Sequence, residues 1–278
     1  MFQINNKTHD PMEQLKKQQN LSVLNLLAVL FAIGINYYSQ LYTINGNRVS
    51  DMSEKYANLF TPAGYAFAIW GVIFIALLVF SGYQIYRTFI RRKTFDFISQ
   101  SGYWFAIANA GNGLWVIAWL YDYTLLSIVI MLIILFSLVK IVVNTDMETR
   151  KVPTKTIMFG WWPISIYAGW ISVATIANIA AYLSKIGWEG GFLSPVAWTI
   201  LLIVAVTLLN VVLIFTRGMR EFAVVGAWAL IAIYVRHQSD YESIATTAIV
   251  GAAIILISTF VHAYRNRKIN PFYGKFFR

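Results

Sequence analysis

The residues best equipped for chemistry are tryptophans and asparagines at helical spacing in charge-free stretches. One runs Asn58-Leu-Phe-Thr-Pro-Ala-Gly-Tyr-Ala-Phe-Ala-Ile-Trp70, a second is Asn112-Gly-Leu-Trp115, and a third is Trp170-Ile-Ser-Val-Ala-Thr-Ile-Ala-Asn178. An indole offers a broad apolar face and one N–H that needs a partner away from water. A carboxamide offers donors and an acceptor without a charge. Together they suit the binding of a large, flat, mostly apolar molecule. Proton or ion relay is a poor fit, because the 12 Asp and Glu fall in loops or at span ends, and an intramembrane carboxylate is the usual mark of such a path. No late helix carries a central Lys for a Schiff-base pigment.

Other chemistries are excluded by what is missing. Cysteine is absent, which removes disulfides, thiolate metal sites and a cysteine nucleophile. His9, His237 and His262 stand one to a place, whereas metal and haem sites need grouped ligands or a clear pocket. There is no Walker loop, dinucleotide fingerprint or HExxH motif. We therefore assign no catalytic residue, no metal and no required cofactor. Three segments fit the loose cholesterol pattern (Val79–Arg87, Leu230–Arg236 and Val261–Arg267), but a chain rich in Tyr and span-end Arg produces such matches by chance.

The elements that must position these residues are membrane helices. The chain has 278 residues, is 58% hydrophobic and 12% charged, and its mean hydropathy is +0.61; soluble domains are about 25% charged. The expected fold is all-α, a polytopic transmembrane helix bundle of about eight spans with both termini cytoplasmic. The spans fall at roughly 21–43, 62–86, 103–121, 124–144, 157–182, 195–216, 222–236 and 242–264, each judged against the ~20 apolar residues a crossing needs. The seventh is short enough to be re-entrant. With eight crossings, the side opposite the N-terminus keeps only Arg48, Lys55, Lys185 and Arg236 of the Lys and Arg residues, while Lys140 snorkels towards the basic side. This satisfies the positive-inside rule, so the net charge of +10 reflects topology and not nucleic-acid binding. The run from Leu21 to Thr43 is too long for the core of a cleaved signal and reads as an uncleaved first span.

Along the chain we expect a polar cytoplasmic tail over 1–20, a five-helix ligand-binding bundle over 21–185, a three-helix extension over 195–264, and a basic cytoplasmic tail over 265–278. The glycine-containing stretch Lys185–Ser194 separates the two helical units. Trp104, Trp119, Trp188 and Trp198 lie near span ends, where aromatic belts form. Trp70, Trp115, Trp162 and Trp170 lie deeper, near Asn112, Ser165, Ser172, Thr175 and Asn178. Taken singly, each such pair reads as inter-helix hydrogen-bond glue.

Taken in order, the motifs resemble the tryptophan-rich sensory protein and translocator protein family, the mitochondrial benzodiazepine receptor group. The family's second helix follows a Tyr/Asn-Leu stretch and a proline, then reads Phe, two residues, Trp; here these are Tyr56, Asn58, Leu59, Pro62 and Phe67-Ala-Ile-Trp70. Its third helix carries Asn, two residues, Trp, matched by Asn112 and Trp115. Its fifth carries Trp, a small residue, Ala and Asn, matched by Trp170, Ser172, Ala174 and Asn178, with Pro163 before them. Phe60, Ala63 and Tyr65 stand where the family has a second proline, and residues 195–278 have no counterpart in a five-helix protein. The resemblance implies a five-helix bundle that binds porphyrins, sterols and benzodiazepine-type ligands, often as a homodimer; a porphyrin-degrading activity has also been proposed for the family. By motif position the ligand site comprises Phe67, Trp70, Asn112, Trp115, Trp170, Ala174 and Asn178. In this reading the tryptophans stack on a ring system, Asn112 and Asn178 bond a polar edge, Ala174 keeps a wall small, and Arg48 and Lys55 stand at the mouth.

The expected function is binding or sensing of a flat, largely apolar ligand of porphyrin or sterol kind, with a tetrapyrrole as the candidate ligand and membrane lipid as the other partner. Transport of an amphipathic metabolite is the alternative, and a membrane enzyme acting on tetrapyrrole or isoprenoid ranks below it. The composition fits a bacterial inner (plasma) membrane.

Overall fold

The computed structural model of the chain describes residues 10–188 and 190–267. His9 and most of the expected basic tail 265–278 lie outside the described residues. Helix α1 is Pro11–Leu41, so it begins ten residues before the apolar run. Asp10 accepts the Met12 N–H at 2.9 Å and Pro11 occupies the first turn, two start signals that override the polar composition. The polar first turns are also docked. Gln18 donates to Ser99 Oγ at 2.7 Å and accepts the Phe95 N–H at 2.8 Å. Residues 11–20 are therefore helix and not a tail, because a neighbouring element satisfies their hydrogen bonds.

The remaining helices are α2 (Val49–Lys55), α3 (Ile69–Ile85), α4 (Asp96–Ser101), α5 (Trp104–Leu120), α6 (Thr124–Asn144), α7 (Thr154–Thr156), α8 (Trp162–Lys185), α9 (Pro195–Arg217), α10 (Arg220–His237) and α11 (Glu242–Arg265). A 3-10 turn, Gly64–Ala68, leads into α3, and π-helical turns follow it at Tyr86–Ile90 and precede α8 at Ile157–Trp161. Apart from one bridge between Ile44 and Asn47, no strand pairing occurs among the described residues.

Contacts at the helix ends show that the eight long helices alternate in direction. At one end, the Asn45 and Asn47 amides donate to Leu120 O, and Lys55 and Lys185 both reach Asp122. At the same end the Ala63 N–H donates to Ala232 O, and Arg236 pairs with Glu54. At the other, basic end, Asn144 and Arg150 donate to Gln100, and Gly218 lies against Glu148 and His262. The 18 residues of α10 run from one end to the other, about 27 Å at 1.5 Å per residue. The short seventh element therefore does not fold back, as a re-entrant segment would. Among the described residues, six helical segments are long and apolar enough to cross a membrane: Pro11–Leu41, Gly64–Ile90, Thr124–Asn144, Thr154–Lys185, Pro195–Arg217 and Glu242–Arg265. The other two, α5 and α10, are shorter, and α10 carries charges at both ends.

The outward faces of the bundle are as apolar as the inward ones. On α6, Leu125, Val129, Leu132, Phe136, Val139 and Val143 are exposed while Ile128, Met131, Ile134, Leu138 and Ile141 are buried. The two helical units share one buried core, from Val29 to Ile255. Close approach of backbones makes the joint between them. A Cβ on Gly169 of α8 would stand 2.7 Å from Phe222 O of α10; within the second unit, one on Gly226 of α10 would stand 2.6 Å from the Asn210 side-chain amide of α9. Small residues that admit a neighbouring helix are the usual means of packing where no water drives association.

Candidate functional site

The sequence motifs converge beneath α2. Phe67 sits in the 3-10 turn, Trp70 in the first turn of α3, Trp115 late on α5, and Trp170, Ala174 and Asn178 along one face of α8. These six line a single cavity of about 60 Å³. Val49 and Ser53 of α2 close it from above, and Trp119 and Met131 complete its walls. The 3.6-residue helical period explains the α8 face, since residues four apart stand above one another.

The rings pack on each other. Trp170 meets Phe67 edge-on at 6.0 Å and Trp70 edge-on at 6.4 Å, while Trp115 stacks on Trp119 at 5.9 Å. Edge-to-face and offset-stacked pairs are the favoured aromatic geometries, so this cluster is stable as it stands. A volume of about 60 Å³ is roughly that of two waters, at about 30 Å³ each.

The polar atoms have largely found protein partners. Trp115 Nε1 donates to Asn178 Oδ1 at 2.7 Å, and Asn178 Nδ2 donates to Ser127 Oγ at 2.9 Å. Asn178 thus joins α5, α6 and α8 while its stem faces the cavity. Trp119 Nε1 donates to Val49 O at 3.3 Å and ties the roof to α5. The Trp170 indole N–H is buried and has no protein partner, which leaves it as an unspent donor in this cluster.

Asn112 departs from the expected arrangement. It is 1% exposed and does not line the cavity. Its Oδ1 accepts from Asn36 Nδ2 of α1 at 2.9 Å, and its side chain also hydrogen-bonds Tyr167 of α8. The Tyr167 hydroxyl in turn donates to Ala108 O at 3.1 Å. Asn112 therefore holds three helices together without lining the cavity. Trp119 departs in the other direction. It is 4% exposed and belongs to the cavity wall, not to an interfacial belt. The sequence signal was its spacing of four from Trp115, which places two helical side chains on one face.

The roof is held by charges. Asp122, at a left-handed φ of 63° in the α5–α6 turn, takes Lys185 at 2.8 Å, Lys55 at 3.0 Å and the Tyr56 hydroxyl at 2.8 Å. Burial raises this carboxyl, but hydrogen bonds from Lys185, Tyr56 and Lys55 outweigh it and hold the group down at about 2. Glu54 takes both Arg236 guanidinium nitrogens, at 2.8 and 2.9 Å, and these bonds lower its carboxyl as well. Lys55, one of the two cations expected at the mouth, is thus committed to Asp122; Arg48 remains exposed. None of the seven motif residues lines the larger cavity at the basic end of the bundle.

Comparison with known proteins adds one match. The family model described as TSPO-like protein covers residues 22–261, which takes in the last three long helices as well as the first five. The stretch from 195 to 261 therefore has a counterpart in the family, contrary to the expectation from a five-helix pattern. No curated protein and no solved structure matches the chain.

Proposed function

Because this chain belongs to the TSPO-like protein family and is an integral membrane helix bundle, we propose that it binds a flat, largely apolar small molecule in the cavity beneath α2. The observation that carries the reading is the convergence of Phe67, Trp70, Trp115, Trp170, Ala174 and Asn178 on one space. Tetrapyrroles and sterol-like molecules are the ligand classes whose shape suits aromatic walls with few free N–H donors. We place all eight long helices across a bacterial inner membrane, with the basic end cytoplasmic and α2 outside, an orientation that the distribution of Lys and Arg supports.

The contracted cavity makes entry an opening event. A ring system enters only when α2 lifts and the Trp170, Trp70 and Phe67 rings turn out of their edge-on contacts. The ion pairs that hold α2 down are exposed or half-exposed, and solvent screening keeps such pairs weak.

Titration of the purified protein with a tetrapyrrole, followed by quenching of tryptophan fluorescence, tests the assignment. Ala174→Phe, which fills the small wall, is expected to abolish saturable quenching, and Trp170→Ala to weaken it at least tenfold. Unchanged affinity in both variants would remove the site. Proteoliposome flux of the same ligand separates binding from transport, and saturable binding without flux is the expected outcome.

A further inference from the structure

The basic end of the bundle holds a second cavity, of about 1160 Å³. It lies between the α3, α8, α10 and α11 helices and the loops that join α6 to α7 and α9 to α10. Ligand pockets for small molecules span about 300–1,000 Å³, so this space is ample. Its two halves differ in chemistry. One half is a wall of Ile69, Val72, Ile166, Val224 and Trp228. Within it Val72 is 56% and Val224 45% exposed. The other half gathers Arg217 and Arg220, together with Glu148, Glu221 and His262.

Six residues that line this cavity each carry a buried polar atom with no protein partner: Glu148 Oε1, Trp161 Nε1, Arg220 Nε, Glu221 Oε2, Thr259 Oγ1 and His262 Nδ1. Trp161 is 2% exposed, and it sits in the π-helical turn Ile157–Trp161, a distortion often found at binding sites. A buried donor or acceptor left unmade costs its full desolvation, so such atoms are ordinarily paired. Here all six belong to residues around one space. The ion pairs found among the described residues all lie at the α2 end, and none involves Arg217, Arg220, Glu148 or Glu221.

From this arrangement we infer that the cavity is a binding site for a single-chain amphiphile with an anionic head, carboxylate or phosphate. The head meets Arg220 and the Trp161 N–H, with Arg217 beside them, and the chain lies along Val72, Val224 and Trp228. Burial, reinforced by nearby Glu221, pushes Glu148 up to about 8, so at neutral pH it is mostly protonated and can donate to the head instead of repelling it. The distance from Arg220 to Trp228 along α10 is about 12 Å at 1.5 Å per residue, which sets the depth available to the chain. The site shares no lining residue with the cavity beneath α2. It therefore stands or falls independently of the tetrapyrrole reading.

The test uses the full chain in non-ionic detergent, with brominated alkyl chains of one length as quenchers of the wall tryptophans. The chains end in carboxylate, phosphate, trimethylammonium or hydroxyl. Saturable quenching by the carboxylate or the phosphate is expected, at least tenfold tighter than by the other two. Preference between those two heads separates a free fatty acid from a phosphorylated lipid. Arg220→Gln is expected to weaken binding at least tenfold and to erase the preference for an anionic head. Val224→Trp, at an exposed position that does not threaten folding, is expected to block the groove without altering tetrapyrrole affinity. Equal binding of the cationic or neutral chains overturns the proposal, as does undiminished anion binding in Val224→Trp.

Discussion

Asn178 offers the sharpest test of how this bundle is built, because its amide joins three helices at once. Replacing it with Leu keeps the heavy-atom branching and removes both hydrogen bonds. Ser127 Oγ loses the Asn178 donor but still donates to Thr124 O at 2.7 Å, so that side of the loss is mild. Trp115 Nε1 loses its 2.7 Å acceptor and is left buried on a side chain that is 7% exposed. An unmatched buried donor costs about 1–3 kcal/mol in soluble proteins, while inter-helix hydrogen bonds in a membrane protein average about 0.6 and reach about 1.7 kcal/mol. Asn178→Leu is therefore expected to destabilise the fold by about 1–2 kcal/mol, an interval bounded by those two scales. Trp115→Phe removes the donor instead. The double variant should cost less than the sum of the singles, with a coupling of about 0.6–1.7 kcal/mol. Reversible unfolding in mixed micelles, read by tryptophan fluorescence and by helix content, supplies the four stabilities. Strict additivity of the two substitutions would show that the indole and the amide do not depend on each other and would refute the account of Asn178 as an internal joint.

Three further outcomes follow from the same geometry. Gly169→Ala should destabilise the protein by about 1–3 kcal/mol, as overpacking does, because the new methyl meets the Phe222 backbone carbonyl and not a movable side chain; thermal unfolding reads the loss. Asn112→Leu should lower stability through the lost Asn36 and Tyr167 bonds yet leave tetrapyrrole affinity within twofold, and a tenfold loss of affinity at unchanged stability would return Asn112 to the ligand site. The third outcome concerns Asp122, whose folded carboxyl titrates at about 2, below its usual range near 4, so it contributes stability at higher pH that is lost as pH falls from about 4 to about 2. Hydrogen exchange of α2 should quicken across that window in the parent protein, whereas Asp122→Asn should exchange fast throughout.

Much of the site could be read in advance because its motifs are short-range. Phe67 and Trp70, Asn112 and Trp115, and Trp170, Ala174 and Asn178 lie three or four residues apart, so one helical period decides that each set shares a side of its helix. Asn112 escaped this reading, because its partners Asn36 and Tyr167 come from helices 76 and 55 residues away in the chain, and no local pattern announces them. Trp119 escaped because proximity to a span end does not reveal that α2 folds back over it. Residues 11–20 carry a start signal in Asp10 and Pro11, but their polarity pointed to a tail until Ser99 and Phe95 were seen to receive Gln18.

Composition by itself determined that this chain is a membrane helix bundle, since 58% hydrophobic residues with 12% charge admit no other compact arrangement of so many long apolar runs. Charge placement determined which helix ends belong together, and motif order identified the family. What only the tertiary structure decided is which way each helix faces. In α3 and α6 both faces are apolar, so the hydrophobic period that orients a soluble helix is absent, and side-chain fit and buried hydrogen bonds choose the inward face instead. The cavity beneath α2, the contraction of its aromatic walls and the polar-ended space at the basic end all follow from that choice. Each is assembled from residues on several helices that approach one another only when the bundle closes.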